Sequence, residues 1–400
     1  MTFELGKRQG VGSAALATGV TVSGSLPAFL TGGLSVQVRN DLGFSATLLG
    51  ILIAVYFGVS AAGSAYMGHS AQRIGLDRSV RLAAAGCAAA MLVAAAAPGY
   101  AILVIAMAMA GVANALAQPA ANGVLIRDVP ESWRGLSFGI KQSAIPIATL
   151  LGGLAVPAVA LTIGWRWAYV FAAIGALAVA YFAGRKGGQL GAPAGSHAAA
   201  NGRALEYAPL LVLGASAALA AGAASNLGSF VTASAVDLGT SEAVAGLLLA
   251  MGSAVGIAMR LLSGIYSDRS VRDPLTVVLL LLVGGTAGFA LMAGGTVALF
   301  VPGVALAFGL GWSWPAMFHF AVSRRYGAAA AAATGITQSG VYVGGVVGPI
   351  AFGLIAENIS YATAWAIGGM SLAAAAAGIA LGRWMLARRS GESVAIPVGD

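Results

Sequence analysis

Two basic side chains stand where an apolar chain has little reason to keep them. Lys141 and Arg260 both fall inside long hydrophobic runs. An ionisable group at membrane depth costs roughly 2.5–3.5 kcal/mol on insertion scales, so each asks for a purpose. Lys141 has two readings: its ammonium pairs an anion inside the protein, or its long stem carries the charge back to the headgroups. Arg260 lies one turn before Gly264, near the end of its run, which suits a gate or a packing role more than contact with a bound molecule. His319 could titrate near neutral pH, or be merely structural. Asn114, Gln118 and Asn122 recur at i, i+4 and i+8, which sets three amides along one helical face. Such a stripe either contacts a polar solute or ties helices together. Tyr56, Asn226, Trp312 and the pair Gln142 and Gln338 share that choice between contact and packing.

The acids are informative by where they are not. All 13 acidic residues fall in termini, loops or the edges of apolar runs. A site for a cation, or for an exchanged proton, usually needs a buried carboxylate, and here the buried charge is positive. An internal site is therefore expected to favour an anion. Cys87 is the lone cysteine, so no internal disulfide can form, and no metal-ligand cluster accompanies it. No Gly-Lys-Ser/Thr phosphate loop occurs, which argues against ATP as the direct energy source. No cofactor is expected.

The elements that must position these side chains follow from composition. The 400 residues are 59% hydrophobic and 8% charged, against about 25% charged in a soluble domain. So little charge cannot cover a water-facing surface, and lipid must be the outer solvent. The net charge of +8 does not imply nucleic acid, because the basic residues are scattered between apolar runs. Spans of about 20 residues are expected near 12–35, 46–67, 80–97, 100–125, 135–161 and 164–184, and again near 207–234, 242–263, 274–293, 296–321, 333–355 and 361–386. The first is read as a retained helix, because no cleavage site follows a short apolar segment. With both termini cytoplasmic, 17 of the 21 Lys and Arg residues fall on the cytoplasmic side and only Arg39 and Arg166 outside, as the positive-inside rule requires.

An internal repeat divides the chain. Leu42-Gly43-Phe44-Ser45 recurs as Leu238-Gly239-Thr240-Ser241, Gly68 with Arg73 as Gly264 with Arg269, and Pro119-Ala120 as Pro315-Ala316. Gly139-Ile140-Lys141-Gln142-Ser143 recurs as Gly335-Ile336-Thr337-Gln338-Ser339. Every pair is 196 residues apart. Residues 1–184 and 207–400 thus read as two parallel six-helix bundles, all-α and integral to the membrane, joined by a polar, Gly/Ala-rich cytoplasmic linker over 185–206. Pro27, Pro119 and Pro315 remove helix hydrogen bonds and could act as bends where the halves rock.

Gly264-Ile265-Tyr266-Ser267-Asp268-Arg269 resembles the G-x-x-x-D-R loop of the major facilitator superfamily, bacterial-type, and the loop recurs after the second helix at Gly68–Gly75. The resemblance implies a two-bundle fold with a central cavity lined mainly by helices 1, 4, 7 and 10, opening alternately to either side. It also implies that Gly68, Arg73, Gly264, Asp268 and Arg269 act in gating; Arg260 joins them on its position alone. Gln72 stands where the first loop normally has Asp, which leaves the latching carboxylate to Asp268, or to Asp77. The antiporter motif G-x-x-x-G-P-x-x-G-G is matched poorly in the fifth helix and echoed in the eleventh as Gly344-Gly345-Val346-Val347-Gly348-Pro349.

Secondary transport of a small solute, an organic or small anion, is the leading expectation, with proton-coupled multidrug efflux as the alternative. Efflux predicts a buried carboxylate or a strong fifth-helix motif. A membrane enzyme should cluster His, Asp, Glu, Ser or Cys at one depth, and with three His and one Cys the chain gives that reading little support. A receptor would need loops or domains large enough to bind or signal, and the loops expected here are short. The expected partners are a small-molecule substrate and the lipid bilayer of the cell membrane, with no nucleic acid, and a monomer.

Overall fold

The computed structural model describes residues 2–185, 205–269 and 273–389. Among these residues all regular structure is helical, with no strand. Twelve helices are long and apolar enough to cross a membrane. Spans 1 to 6 are Gly10–Gly33, Ala46–Ser64, Leu76–Ala95, Tyr100–Asp128, Ser137–Ala160 and Trp165–Arg185. Spans 7 to 12 are Tyr207–Asp237, Glu242–Ser263, Pro274–Met292, Val297–Tyr326, Ala332–Asn358 and Tyr361–Arg388. The expected twelve-span, all-helical membrane fold is the one observed. Of the expected linker, only Arg185, Leu205 and Glu206 lie within the described residues.

Local chemistry sets several boundaries. Ser45 starts the helix of span 2 by accepting from the Leu48 N–H, and Asp273 starts span 9 by accepting from the Leu275 N–H with Pro274 in the first turn. Both satisfy donors that a helix start leaves unpaired. Between spans 1 and 2 a separate helix, Ser35–Leu42, ends at Gly43, whose φ of 65° is left-handed. That conformation costs glycine nothing.

Spans 5 and 10 are interrupted, which hydropathy alone does not reveal. Span 5 stops at Gln142 and restarts at Ala144. The cause is Pro146: it has no N–H to give the Gln142 carbonyl four residues back. Span 10 passes through a wide, π-type turn over Ala307–Gly311 and restarts at Trp314, with Pro315 in the new first turn. Pro119, which matches Pro315 in the repeat, instead lies within an unbroken helix.

Two ends of the molecule can be told apart. At the termini end, Gly10 of span 1 lies beside Asp128 and Pro130, where span 4 finishes. Arg325 of span 10 there meets Glu206 before span 7 at 3.5 Å and donates to the Leu386 carbonyl of span 12 at 3.1 Å. At the far end the first six spans close on the last six. Gly153 of span 5 faces the backbone of Gly246 and Ala250 in span 8, Gly50 of span 2 faces Pro349 of span 11, and Gly32 of span 1 faces Gly228 of span 7. Three polar contacts reinforce this seam: Gln37 Nε2 to Glu242 at 2.6 Å, Arg39 to the Tyr361 hydroxyl at 3.2 Å, and the Thr47 N–H to Glu357 at 2.9 Å. Toward the termini end, by contrast, Gly68, Gly139 and Gly335 border open space.

Small residues set the interhelical distances, as expected where no hydrophobic drive brings helices together. Gly340, Gly344 and Gly348 of span 11 meet Gly214, Ala218 and Gly222 of span 7 backbone to backbone, at four-residue spacing. A Cβ on Gly344 would fall on the Ala218 carbonyl and within 2.8 Å of the Gly222 nitrogen. Gly344→Val should therefore destabilise the protein by about 1–3 kcal/mol, the usual cost of overpacking. A lowered melting temperature in detergent checks this.

Candidate functional site

Span 4 carries its amides on a buried face, and span 5 sends Lys141 across to meet them. Lys141 is 3% exposed, and its Nζ donates to Gln118 Oε1 at 2.7 Å. Gln118 Nε2 donates to Asn114 Oδ1 at 3.3 Å, and Asn114 Nδ2 donates to Ser60 Oγ of span 2 at 2.7 Å. Each amide turns its carbonyl toward the lysine and its N–H away. The dipoles therefore line up to stabilise the ammonium, and such chains polarise cooperatively. Lys141 is held inside the protein and does not extend to the helix end. Gln118 is its one hydrogen-bond partner among the described residues, which leaves two of its three N–H groups unused. No carboxylate lies within 4 Å of it among the described residues.

The rest of the amide stripe divides. Asn122, one turn further on, keeps its Oδ1 buried and unpartnered. Tyr56 of span 2 donates to the Gly24 carbonyl of span 1 at 2.8 Å, and Gly24 sits against Asn114, where a Cβ would approach Oδ1 to 2.7 Å. Spans 1, 2, 4 and 5 thus meet at one polar knot.

Arg260 connects the two halves. Its Nη1 donates to the Gln142 carbonyl of span 5 at 2.7 Å and its Nη2 to the Trp312 carbonyl of span 10 at 2.9 Å. Both carbonyls stand at helix interruptions, where the helix itself offers no donor. The guanidinium also lies 6.0 Å from the centre of the Trp312 ring, and that ring packs edge-on against Phe29 of span 1 at 5.5 Å. Lys141 and the carbonyl that Arg260 holds belong to consecutive residues. One cation from each half therefore converges on the break in span 5. At the repeat offset of 196, Lys141 corresponds to Thr337 and Arg260 to Ser64, so the two positive charges break the symmetry of the halves.

The other expected residues lie apart. Asn226 of span 7 is buried with an unpartnered Oδ1 and lines a groove of about 260 Å³ between spans 7, 11 and 12. Gln338 sits in an unbroken helix, where Tyr342 replaces the Pro146 of the other half. His319 is half-buried and packs edge-on against Phe318. Arg73 is exposed and Gly68 borders open space. The helix of span 8 runs on to Arg269, and the surroundings of Gly264 and the side chains of Gln72, Asp268 and Arg269 lie outside what is described. Asp77, the other candidate for the latch, is committed within its own half. Arg127 of span 4 grips both of its oxygens at 2.8 and 3.0 Å, and bonds Asp128 as well. Asp77→Asn should cost about 1.5–3 kcal/mol, the range for a hydrogen-bonded charge, seen as a fall in melting temperature with no change in which end is open. At the far end, the guanidinium of Arg166 beside Asp41 holds that carboxyl below its usual range. The pair is half-exposed, so it contributes little to stability.

Ser60, Gly24, Pro146 and Phe29 were not among the expected site residues. Pro146 had a legible signal: a proline four residues after Gln142 frees that carbonyl wherever the segment is helical.

A model of the Major Facilitator Superfamily matches residues 11–331 and, in a second match, residues 213–399. The chain belongs to that superfamily. Its fold is shared with solved structures at low identity. A bacterial homologue of the human lysosomal transporter Spinster, in an inward-facing and unoccupied conformation, is 15% identical with a TM-score of 0.69, over 96% of this chain and 97% of that one. The same homologue in an inward-facing, occupied conformation is 14% identical with a TM-score of 0.67, over 96% of each chain. A D-xylose–proton symporter is 18% identical with a TM-score of 0.74, over 92% of this chain and 97% of that one. No curated protein matches the sequence. This Major Facilitator Superfamily protein is a multi-pass secondary transporter of the cell membrane and not an enzyme.

Proposed function

We propose that this transporter moves a small organic or inorganic oxyanion by alternating access, with 1–184 and 207–400 rocking as two bodies about a site between them. The observation that carries the reading is the convergence of Lys141 and Arg260, one from each half, on the break in span 5, with no carboxylate within ion-pair distance of either among the described residues. A buried cation without a counterion is costly, and an anion that arrives and leaves gives the cost a function. Lys141 and Gln118 bind, with Asn114 and Asn122 as further polar contacts. Arg260 and Trp312 close the site from the second half. The basic residues clustered at the termini end support a cytoplasmic placement of that end, so the sealed far end faces outward and the site opens inward. The protein works as a monomer. A sugar, the solute named for one of the similar structures, would need neither cation.

Counterflow in proteoliposomes tests this. Vesicles loaded with short carboxylates, phosphate, amines or sugars are challenged with the same solute in labelled form. Exchange with a carboxylate or phosphate alone is expected. Exchange confined to amines or sugars sinks the anion reading.

A further inference from the structure

Asn226 takes no part in the polar knot around Lys141, although span 7 places it deep inside the protein. It lies one turn beyond Gly222, which meets Gly344 and Gly348 of span 11, so its side chain leaves span 7 on the side of that helix. Gly228, two residues further and about 200° round the helix, faces Phe29 and Trp312 at the seam between the halves. Asn226 therefore points away from the seam, into the groove of about 260 Å³ between spans 7, 11 and 12. It is 4% exposed, and its Oδ1 is buried without a partner. We propose that this groove binds an uncharged single-chain lipid from the surrounding bilayer, whose hydroxyl donates to Asn226 Oδ1. Its occupation does not depend on which solute the central site carries.

Depth, opening and lining together select this occupant. Asn226 lies eleven residues before the end of span 7, Val347 eleven before the end of span 11, and Ser371 ten after the start of span 12. At 1.5 Å per residue all three sit about 15–16 Å from the far end, close to the middle of a hydrocarbon layer about 30 Å thick. Val343, Val347 and Ile367 line the groove and stay exposed, so it opens sideways to lipid. No bulk water reaches that depth to pair the amide. Every lining residue is uncharged, and an ionised headgroup there would be buried without a counterion, at high cost. A hydroxyl supplies the donor that Oδ1 lacks. It can accept in turn from Ser371, which lines the groove and makes no hydrogen bond to a described residue. The groove follows span 11 from Val343 to Ile355, about 18 Å of helix, which suits an extended alkyl chain. It is too narrow for a further helix, whose diameter is about 10 Å.

Trp365 makes the occupant visible. It is 1% exposed, so bulk lipid does not touch it, yet its ring lies 4.5 Å from that of Phe352, which lines the groove. Full-length protein in lipid nanodiscs is titrated with octadecanol brominated at mid-chain and with the matching brominated octadecane. Quenching of Trp365 is read as the difference from Trp365→Phe. The alcohol should quench saturably, at a roughly two- to tenfold lower concentration than the alkane, as one neutral hydrogen bond predicts. In Asn226→Leu, which keeps the bulk and removes the amide, alcohol and alkane should quench alike. Ala351→Phe, which fills the groove from span 11, should abolish saturable quenching by both. Should a variant fail to fold, the comparison of alcohol with alkane on the total fluorescence of wild type carries the test alone. Equal potency of the two in wild type, or a preference for the alcohol undiminished in Asn226→Leu, overturns the role of Asn226. No saturable quenching by either overturns the site.

Discussion

Gly153→Val is expected to hold the transporter open at its far end. Gly153 of span 5 faces span 8 so closely that a Cβ there would lie 2.5 Å from the Gly246 carbonyl oxygen and 2.7 Å from the Ala250 nitrogen. Both are backbone atoms of a helix and cannot swing aside as a flexible side chain would. Overpacking of this kind costs about 1–3 kcal/mol, and the two further methyl groups of valine add to the clash. The cost falls only on the conformation in which spans 5 and 8 touch. Alternating conformations typically differ by a few kcal/mol, so a penalty of this size is enough to reverse their populations. A cysteine placed at Ser35, fully buried beside the seam, reads the outcome. Its reaction with a membrane-impermeant maleimide should quicken by at least about tenfold, the equivalent of 1.4 kcal/mol. Gly175→Val, made where a Cβ meets open space, should leave the rate unchanged. An unaltered rate in Gly153→Val would show that the glycine contact does not limit opening.

The second large effect is expected at Lys141, through two substitutions with opposite consequences for stability. Lys141→Met keeps the length of the side chain and removes its charge. It leaves Gln118 Oε1 without the 2.7 Å donor that it now has. Anion binding should weaken by roughly ten- to a hundredfold, as loss of a charged hydrogen bond of about 1.5–3 kcal/mol predicts. Gln118→Glu instead supplies a permanent counterion 2.7 Å from the ammonium. It should raise the melting temperature in the absence of substrate and still abolish binding, because the internal carboxylate occupies the place of the external one. Isothermal titration of both variants separates these effects. Full anion affinity in Gln118→Glu would mean that Lys141 serves packing alone.

Much of this fold was legible because hydropathy, glycine spacing and the distribution of Lys and Arg all act over whole helices. The twelve spans and the repeat needed no knowledge of contacts. The interruptions were harder to read. Pro146 and Pro315 sit in equally apolar surroundings to Pro119, yet the first leaves a carbonyl free, the second begins a helix and the third lies within an unbroken one. The stripe Asn114, Gln118, Asn122 was visible from spacing, but its division was not. Lys141 reaches only Gln118, and Ser60 on another helix anchors Asn114. The role of Arg260 depended on a carbonyl 118 residues away, which no local pattern encodes. The match between the halves ends at the break: the sequence around Gln338 repeats that around Gln142, but Tyr342 stands in place of Pro146 and the helix stays whole.

The most direct test is to melt the purified protein in detergent against equal concentrations of succinate, acetate, phosphate, chloride, tetraethylammonium and xylose. A ligand that binds only the folded state adds about 2.7 kcal/mol at a hundred times its dissociation constant. The account predicts that a carboxylate or phosphate raises the melting temperature, that Lys141→Met cuts the stabilisation to about 0.4–1.4 kcal/mol, as a ten- to hundredfold weaker affinity requires, and that chloride has no comparable effect. Stabilisation by tetraethylammonium or xylose alone, or an oxyanion effect undiminished in Lys141→Met, would contradict it.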